Sequence, residues 1–249
     1  MKNIWLIAWK DLKGYFVTPI GYLVLTVFTV LMSWMFFSSV SNVLMSQQYG
    51  RPAPGDLSVV MQPVLGNMAV IFLLMGSLLT MRLIAEERKM HTLELIFTSP
   101  LRPIEIVFGK YLAALLFYGV MLAITLIYPL ILKSVGTIHL SQVFAGYLGV
   151  FLLGASFLSL GLFISALTEN QITAAAVTFG LFLFFWIIAW ITGPSDSVAG
   201  KLISYVSIID HLSNFIRGLI DTQDVIYYLS FIFFGLFLTT QAVESQRWR

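Results

Sequence analysis

The chain of 249 residues contains no cysteine. That excludes disulfides, thiolate metal sites and a cysteine nucleophile, and it leaves the compartment open. Charge is nearly as scarce. Lys and Arg total 14 and Asp and Glu 12, together 10% of the chain, with a net charge of +2. A soluble domain draws on about 25% charged residues for its polar shell, so no soluble fold of this length is available to the sequence. The small net charge also gives no footing for a nucleic-acid partner. Histidines number only three, His91, His139 and His211; scattered as they are, they suggest loop or interface positions and no metal site. What the chain has instead is 59% apolar residues and a mean hydropathy of +0.91, the composition of an integral membrane protein.

Six uncharged runs are long enough to cross a hydrocarbon core of ~30 Å at ~1.5 Å per residue. They cover approximately 20–40, 60–81, 111–132, 143–167, 172–191 and 225–243. Each is apolar all round the helix, as a lipid-embedded helix is. Tyr15, Tyr22, Tyr111, Trp190, Tyr227 and Tyr228 flank the runs, where aromatic residues favour the headgroup level. Lys2, Lys10 and Lys13 before the first run resemble a signal-peptide flank, but a run of twenty-one residues exceeds a signal core, and it reads as a retained span. With both termini inside, the inner segments hold Lys2, Lys10, Lys13, Arg82, Arg88, Lys89, Arg102, Lys110, Arg247 and Arg249, and the outer ones only Arg51, Lys133, Lys201 and Arg217. The positive-inside rule selects that topology.

The connections differ in kind. Residues 41–59 form an outer loop rich in Gly and Pro. Thr168-Glu-Asn-Gln171 is a tight inner hairpin. Within the long outer segment 192–224, the stretch 202–220 is too short and too charged to span, which predicts a re-entrant or interfacial helix. At the start, Ile4, Ile7 or Ala8, and Leu12 recur at helical spacing, with Trp5 and Trp9 four apart. That pattern fits a helix lying in the interface, or else a positively charged topogenic flank. Pro19 then lets the chain turn into the first span.

Nine of the charges fall in the twenty-nine residues 82–110. Each would cost roughly 2.5–3.5 kcal/mol at a bilayer centre, so this segment must be a structured loop at the inner surface. Leu93, Ile96 and Phe97 share one helical face, with Thr92 placed to cap its start. Pro100 marks a stop. Pro103 opens a second helix, with Glu105 near its positive end, that runs through Gly109 into the third span. The apolar face needs a cover, either the protein's own inner helices or a cytosolic partner.

Other chemistry is thin. A phosphate loop needs Gly, four residues, Gly-Lys and then Ser or Thr. Gly109-Lys110 has Ile104 and Tyr111 at the outer positions, and Gly200-Lys201 has Ser195 and Leu202. The chain is not expected to be an enzyme or to bind ATP itself. Glu86 and Glu87 lie outside the apolar core, where an intramembrane protease pair would not. Met61, Met68 and Met75, seven apart, read as packing filler and not a copper stripe. Ala155/Ser159 and Gly161/Ser165, small residues four apart, allow close helix approach, within the chain or across a dimer.

The string Ala85-Glu-Glu-Arg-Lys-Met-His-Thr-Leu-Glu-Leu-Ile-Phe-Thr-Ser-Pro-Leu-Arg-Pro-Ile-Glu-Ile-Val-Phe-Gly-Lys110 resembles the hallmark loop of ABC-2 type transporter permeases. Ala8-Trp-Lys-Asp-Leu-Lys-Gly-Tyr-Phe-Val-Thr-Pro-Ile-Gly-Tyr22 is similar to that family's opening helix. Leu160-Gly-Leu-Phe-Ile-Ser-Ala-Leu-Thr-Glu-Asn-Gln-Ile-Thr-Ala174 is similar to its span-four/five turn, and His211-Leu-Ser-Asn-Phe-Ile-Arg-Gly-Leu-Ile-Asp221 to its outer segment. Within the family, the gliding-motility and copper-processing permeases look most similar. One departure stands out: His91 occupies a position where the family pattern has Gly.

The resemblance implies an all-α, six-span, N-in/C-in half transporter in a bacterial cytoplasmic (inner) membrane. Such a subunit pairs with a second permease copy or a related permease, and with a separate cytosolic ATPase that binds ATP and Mg. The loop 82–110 would be the coupling helix, with Glu86, Glu87, Arg88, Thr92, Leu93, Glu94, Ile96, Phe97 and Lys110 as the contact residues. The absence of charge within the six runs signposts no ion pathway and suits an apolar, lipid-like or large amphipathic cargo. A different class remains open: a membrane anchor or mechanical coupler for an ATPase-driven envelope machine, with an auxiliary envelope protein as partner. A gated channel would need polar lining faces that the sequence lacks.

Overall fold

The structure, a computed structural model, describes residues 2–49, 56–92, 101–191 and 207–247. Among these residues it is helical, with no strand. In chain order the helices are α1 (Lys2–Val17), α2 (Pro19–Gln48), α3 (Ser58–Thr80), α4 (Ala85–Lys89), α5 (Pro103–Thr125), α6 (Ile127–Val135), α7 (Leu140–Leu167), α8 (Gln171–Ile191), α9 (Ile208–Ile216) and α10 (Thr222–Arg247). Among the described residues six stretches are long and apolar enough to cross a membrane, with α5 and α6 together making the third. The all-α, six-span fold expected from the apolar runs is the one observed.

Helix α7 is the central post. Within its most apolar window 78% of residues are buried, against 22% for α2 and 17% for α8, which face outward. It packs against α10, α3, α9, α8 and α5. Close approach depends on glycine: a Cβ at Gly154 would stand 2.3 Å from the Tyr118 ring, and one at Gly161 2.3 Å from Thr80 Oγ1. In a bilayer the hydrophobic effect does not separate helix from lipid, so packing and interhelical hydrogen bonds carry association. Tyr118 Oη donates to Val150 O at 2.7 Å, Tyr111 Oη to Ala155 O at 3.1 Å and Tyr228 Oη to Ile208 O at 2.9 Å. Tyr111, Tyr227 and Tyr228, which flank the apolar runs, are packed inside the protein. For Tyr111 and Tyr228 the carbonyl partner compensates the phenol for its burial. Met61, Met68 and Met75 lie in the core as packing residues.

Two breaks have local causes. Pro129 has no N–H to give Thr125 O, and α5 ends there. The freed carbonyl accepts instead from Tyr147 Oη at 2.8 Å. Between α1 and α2 the chain turns at Thr18, and a Cβ on Gly21 would stand 1.9 Å from Tyr15 O. Only glycine fits that turn.

Contacts sort the two ends of the bundle. Asn3 reaches Glu105, Arg88 reaches Glu169, and Gln246 donates to Ala166 O. The N-terminal helix, α4, the start of α5, the α7–α8 turn and the tail of α10 therefore share one end. The opposite end holds the starts of α3 and α10 and the short helix α9. Helix α9 buries Ile208, His211, Leu212 and Phe215 and packs on α7, which fits a short segment seated against the bundle.

Two helices begin ahead of their apolar runs. Helix α5 begins at Pro103, eight residues before the apolar run, so Lys110 lies inside it, and α10 takes in Asp224 ahead of the run that begins at 225. Asp224 is buried, accepting from Asn214 Nδ2 at 3.0 Å and pairing with His211 Nδ1. An apolar tally stops at a charge; a helix whose charge finds a partner does not. His211 is accordingly a buried residue of the bundle and not a loop histidine.

Candidate coupling site at the α4 end

Helix α4 has five residues, too few to hold together alone. Its orphan N–H groups are satisfied from another helix. Ser165 Oγ on α7 accepts from Ile84 N and Ala85 N, each at 3.1 Å, and donates to Met81 O at 3.3 Å. Ser165 is thus an N-terminal cap supplied in trans. At the other end of α4, Thr92 Oγ1 donates to Glu87 O at 3.2 Å.

Three charged groups join α4 to its neighbours. Lys110 Nζ of α5 lies 2.7 Å from Glu87 Oε1 and 3.2 Å from Asp11 Oδ2 of α1. The Lys110 side chain is 3% exposed, against 15% for Asp11 and 16% for Glu87. A buried ammonium is tolerated only when paired, and here two carboxylates pair it. Lys10 stands 3.8 Å from Asp11 and 3.9 Å from Glu87, but at 71% exposure it is largely screened by water. Glu87 Oε2 is buried with no hydrogen-bond partner among the described residues. Beside it, Arg82 holds Glu86 through two bonds of 2.8 and 2.7 Å. Lys10, Asp11, Tyr15, Arg82, Glu86 and Lys110 line a cavity of about 280 Å³. Burial, reinforced by the Asp11 carboxylate, pushes the Tyr15 phenol well above its ordinary value, so it stays a donor, to Leu79 O at 2.9 Å.

The N-terminal helix is fastened along α5. A Cβ at Gly109 would stand 2.7 Å from Ile7 Cβ and 3.1 Å from Ile4 O, so glycine is what lets α1 lie there. Asn3 Nδ2 donates to Glu105 Oε1 at 3.2 Å, and Glu105 Oε2 accepts from Arg102 N at 3.1 Å, closing the first turn of α5 behind Pro103. Ala8 faces inward while Trp5, Leu6 and Trp9 are exposed, the asymmetry of an interfacial helix. On the far side, Arg88 Nη1 donates to Ala166 O at 3.1 Å, Arg88 Nη2 meets Glu169 at 3.0 Å, and Gln246 Nε2 donates to the same Ala166 carbonyl at 2.7 Å.

Of the residues singled out from sequence, Glu86, Glu87, Arg88 and Lys110 converge on this end, and Thr92 closes α4. Leu93, Glu94, Ile96 and Phe97 lie outside the described residues. Lys89, Met90 and His91 form the exposed apex of the described part of this loop. Ala155, Ser159, Gly161 and Ser165 are buried against other helices of the same chain. Among the described non-glycine residues, His91 alone has a positive φ, +54°. That is the left-handed region glycine enters freely, which gives the family's Gly at this position a physical reason. Sequence reasoning passed over Asp11, Glu169 and Gln246. Asp11 did carry a signal, being the only acidic residue before Asp56 and set in a basic flank.

The family model described as ABC-2 family transporter protein matches residues 5–239, from α1 through most of α10. Among curated proteins none matches.

Proposed function

Because the chain belongs to the ABC-2 family of transporter proteins, we propose that it is the permease subunit of an ATP-driven exporter in a bacterial inner membrane, coupled to a separate cytosolic ATPase at its α4 end. The observation that carries this reading is the Asp11–Lys110–Glu87 triad, which ties α1, α4 and α5 into one body. A displacement of the loop would then move the N-terminal helix and the third span together, as a rigid-body mechanism requires. Arg88 would pass the same displacement to the α7–α8 turn and, through the shared Ala166 carbonyl, to the tail of α10.

In this division of labour ATP and Mg belong to the ATPase. The exposed Lys89, Met90 and His91, with the segment 93–97 beyond them, would make the contact. Lys110 and Glu87 would act from inside by positioning α4, and Glu86 by holding Arg82. A second permease copy or a related permease would complete the translocation path. In proteoliposomes holding this chain and an ABC ATPase that co-purifies with it, ATP turnover is expected to fall toward that of the ATPase alone when Met90 and Lys89 are both replaced by Asp. Unchanged turnover would remove the α4 end from the reading.

A second reading is supported by the apolar character of the spans, whose buried charges Lys110 and Asp224 lie near helix starts and are both paired. In it the subunit, like the gliding-motility permeases it resembles, anchors an envelope machine and passes on motion without moving solute. ATP turnover stimulated by none of a broad cargo panel would favour this second reading, and stimulation by one cargo class the first.

A further inference from the structure

The end of the bundle opposite α4 carries a cavity that the coupling site does not use. Its origin is the break at Leu126: α6 starts afresh beyond Thr125 and leaves a fissure facing α2. The cavity measures about 490 Å³ and is lined by Phe36, Val40 and Leu44 of α2, Val60 of α3, and Ile131 and Val135 of α6, among others. Among the described residues, apart from Gly136 and Thr137, every lining side chain is aliphatic or aromatic. Behind the lining residue Phe36, its ring stacks on Tyr128 with centroids 4.7 Å apart, and Ser33 Oγ and Tyr128 Oη share a hydrogen bond of 3.1 Å. Those two hydroxyls satisfy each other, so neither asks for a polar ligand.

We propose that this fissure is a lipid site that takes one acyl chain of a membrane phospholipid. Three observations select that occupant. Leu44, Ile131 and Val135 are exposed at 58, 44 and 77%, and all three belong to stretches long and apolar enough to cross a membrane, where an exposed side chain would meet lipid. The volume is about three times the ~150 Å³ that holds a benzene-sized ligand in an apolar protein cavity. From Phe36 to Leu44 the α2 wall runs about 12 Å at 1.5 Å per residue, so the shape suits a chain and not a compact solute. Left empty in a bilayer, such walls would forfeit dispersion contacts on one side; an acyl chain restores them without dehydrating anything. The cation fits as well. Lys133 is exposed in the last turn of α6, where a long side chain can extend to the level of a headgroup phosphate. The inference rests on the membrane spans and is independent of ATPase coupling.

The test uses the full chain in nanodiscs containing phosphatidylglycerol with a photoactivatable diazirine near the end of one acyl chain. Cross-links mapped by mass spectrometry are expected on 36–44 and 131–135 at several times the density found around Phe233 and Phe237, exposed positions on α10. Val40→Trp, which fills the fissure, is expected to abolish the excess while leaving the α10 labelling unchanged. Val135→Trp at the open rim should do the same, and its exposure makes it tolerable even if the first variant fails to fold. Labelling no denser than on α10, or an excess that survives Val135→Trp, overturns the proposal. A disulfide between two subunits each carrying Val40→Cys would assign the fissure to a second copy and overturn it equally.

Discussion

Replacing Lys110 by Met removes the one buried cation that Asp11 and Glu87 share, at nearly constant volume. Two carboxylates bridged by one ammonium lie no more than about 6 Å apart, where an effective dielectric near 20 gives a repulsion of about 3 kcal/mol. Breaking a buried pair by deleting one partner costs about 3–5 kcal/mol for the same reason. Lys10 cannot take over, being 71% exposed and nearly 4 Å from each acid. We therefore expect Lys110→Met to lower stability by about 3 kcal/mol and to speed amide exchange throughout α1. Adding Glu87→Gln should recover most of the loss, since Asp11 then faces only Lys10. Unfolding of detergent-solubilised protein by sodium dodecyl sulfate, followed by far-ultraviolet circular dichroism, measures both variants. A loss below about 1 kcal/mol, the worth of a surface pair, or a double variant no more stable than the single one, would refute the reasoning.

Other perturbations test other links. Ser165→Ala withdraws the acceptor from Ile84 N and Ala85 N; it should cost about 1 kcal/mol, as lost caps do, with faster amide exchange confined to 84–88. Strain at His91 predicts that His91→Val costs about 1–2 kcal/mol more than His91→Gly, read from thermal unfolding in detergent; equal effects would deny the left-handed turn. Gly109→Ala should destabilise by about 1–3 kcal/mol through overpacking on Ile7 and loosen α1 before the rest, as limited proteolysis would register. At the opposite end, burial would raise the Asp56 carboxyl, but the Ser58 backbone and side chain together with His139 outweigh it and hold it below the usual range. A depressed acid contributes stability that is complete above its unfolded value and lost as pH falls through the folded one. The melting temperature should therefore drop on acidification below the ordinary carboxylate range, and part of that drop should be missing in Asp56→Asn.

How much of this was legible beforehand depends on what decides each element. The six spans follow from the apolar runs, because no other structure satisfies twenty consecutive apolar residues in lipid. Pro103 with Glu105 announced the start of α5, since both features act within one turn. Long-range partners were invisible. Lys110 and Asp224 marked the edges of their runs, and only the fold shows that Glu87 and Asp11, or His211 and Asn214, bring them inside. Ser165 read as a small packing residue, and its capping role needs α4 to be 80 residues distant in sequence yet adjacent in space. The helix break at Leu126 had its cause in Pro129, which an apolar tally scores as nothing special. His91 is the informative mismatch: the pattern asked for glycine there, and a φ of +54° shows why.

The central claim is that an ATPase docks on the α4 end, and the cysteine-free sequence allows a direct measurement. Met90→Cys places a single thiol at the exposed apex, 66% accessible in the native chain. Ser134→Cys places one at the exposed opposite end. With a co-purifying ABC ATPase co-expressed in native membranes, a short thiol-to-amine cross-linker should join the ATPase to the apex thiol of Met90→Cys and not to the thiol of Ser134→Cys. The yield at the apex should change between the ATP-bound and nucleotide-free states. No ATPase adduct with Met90→Cys, or equal adducts with both variants, would contradict the account.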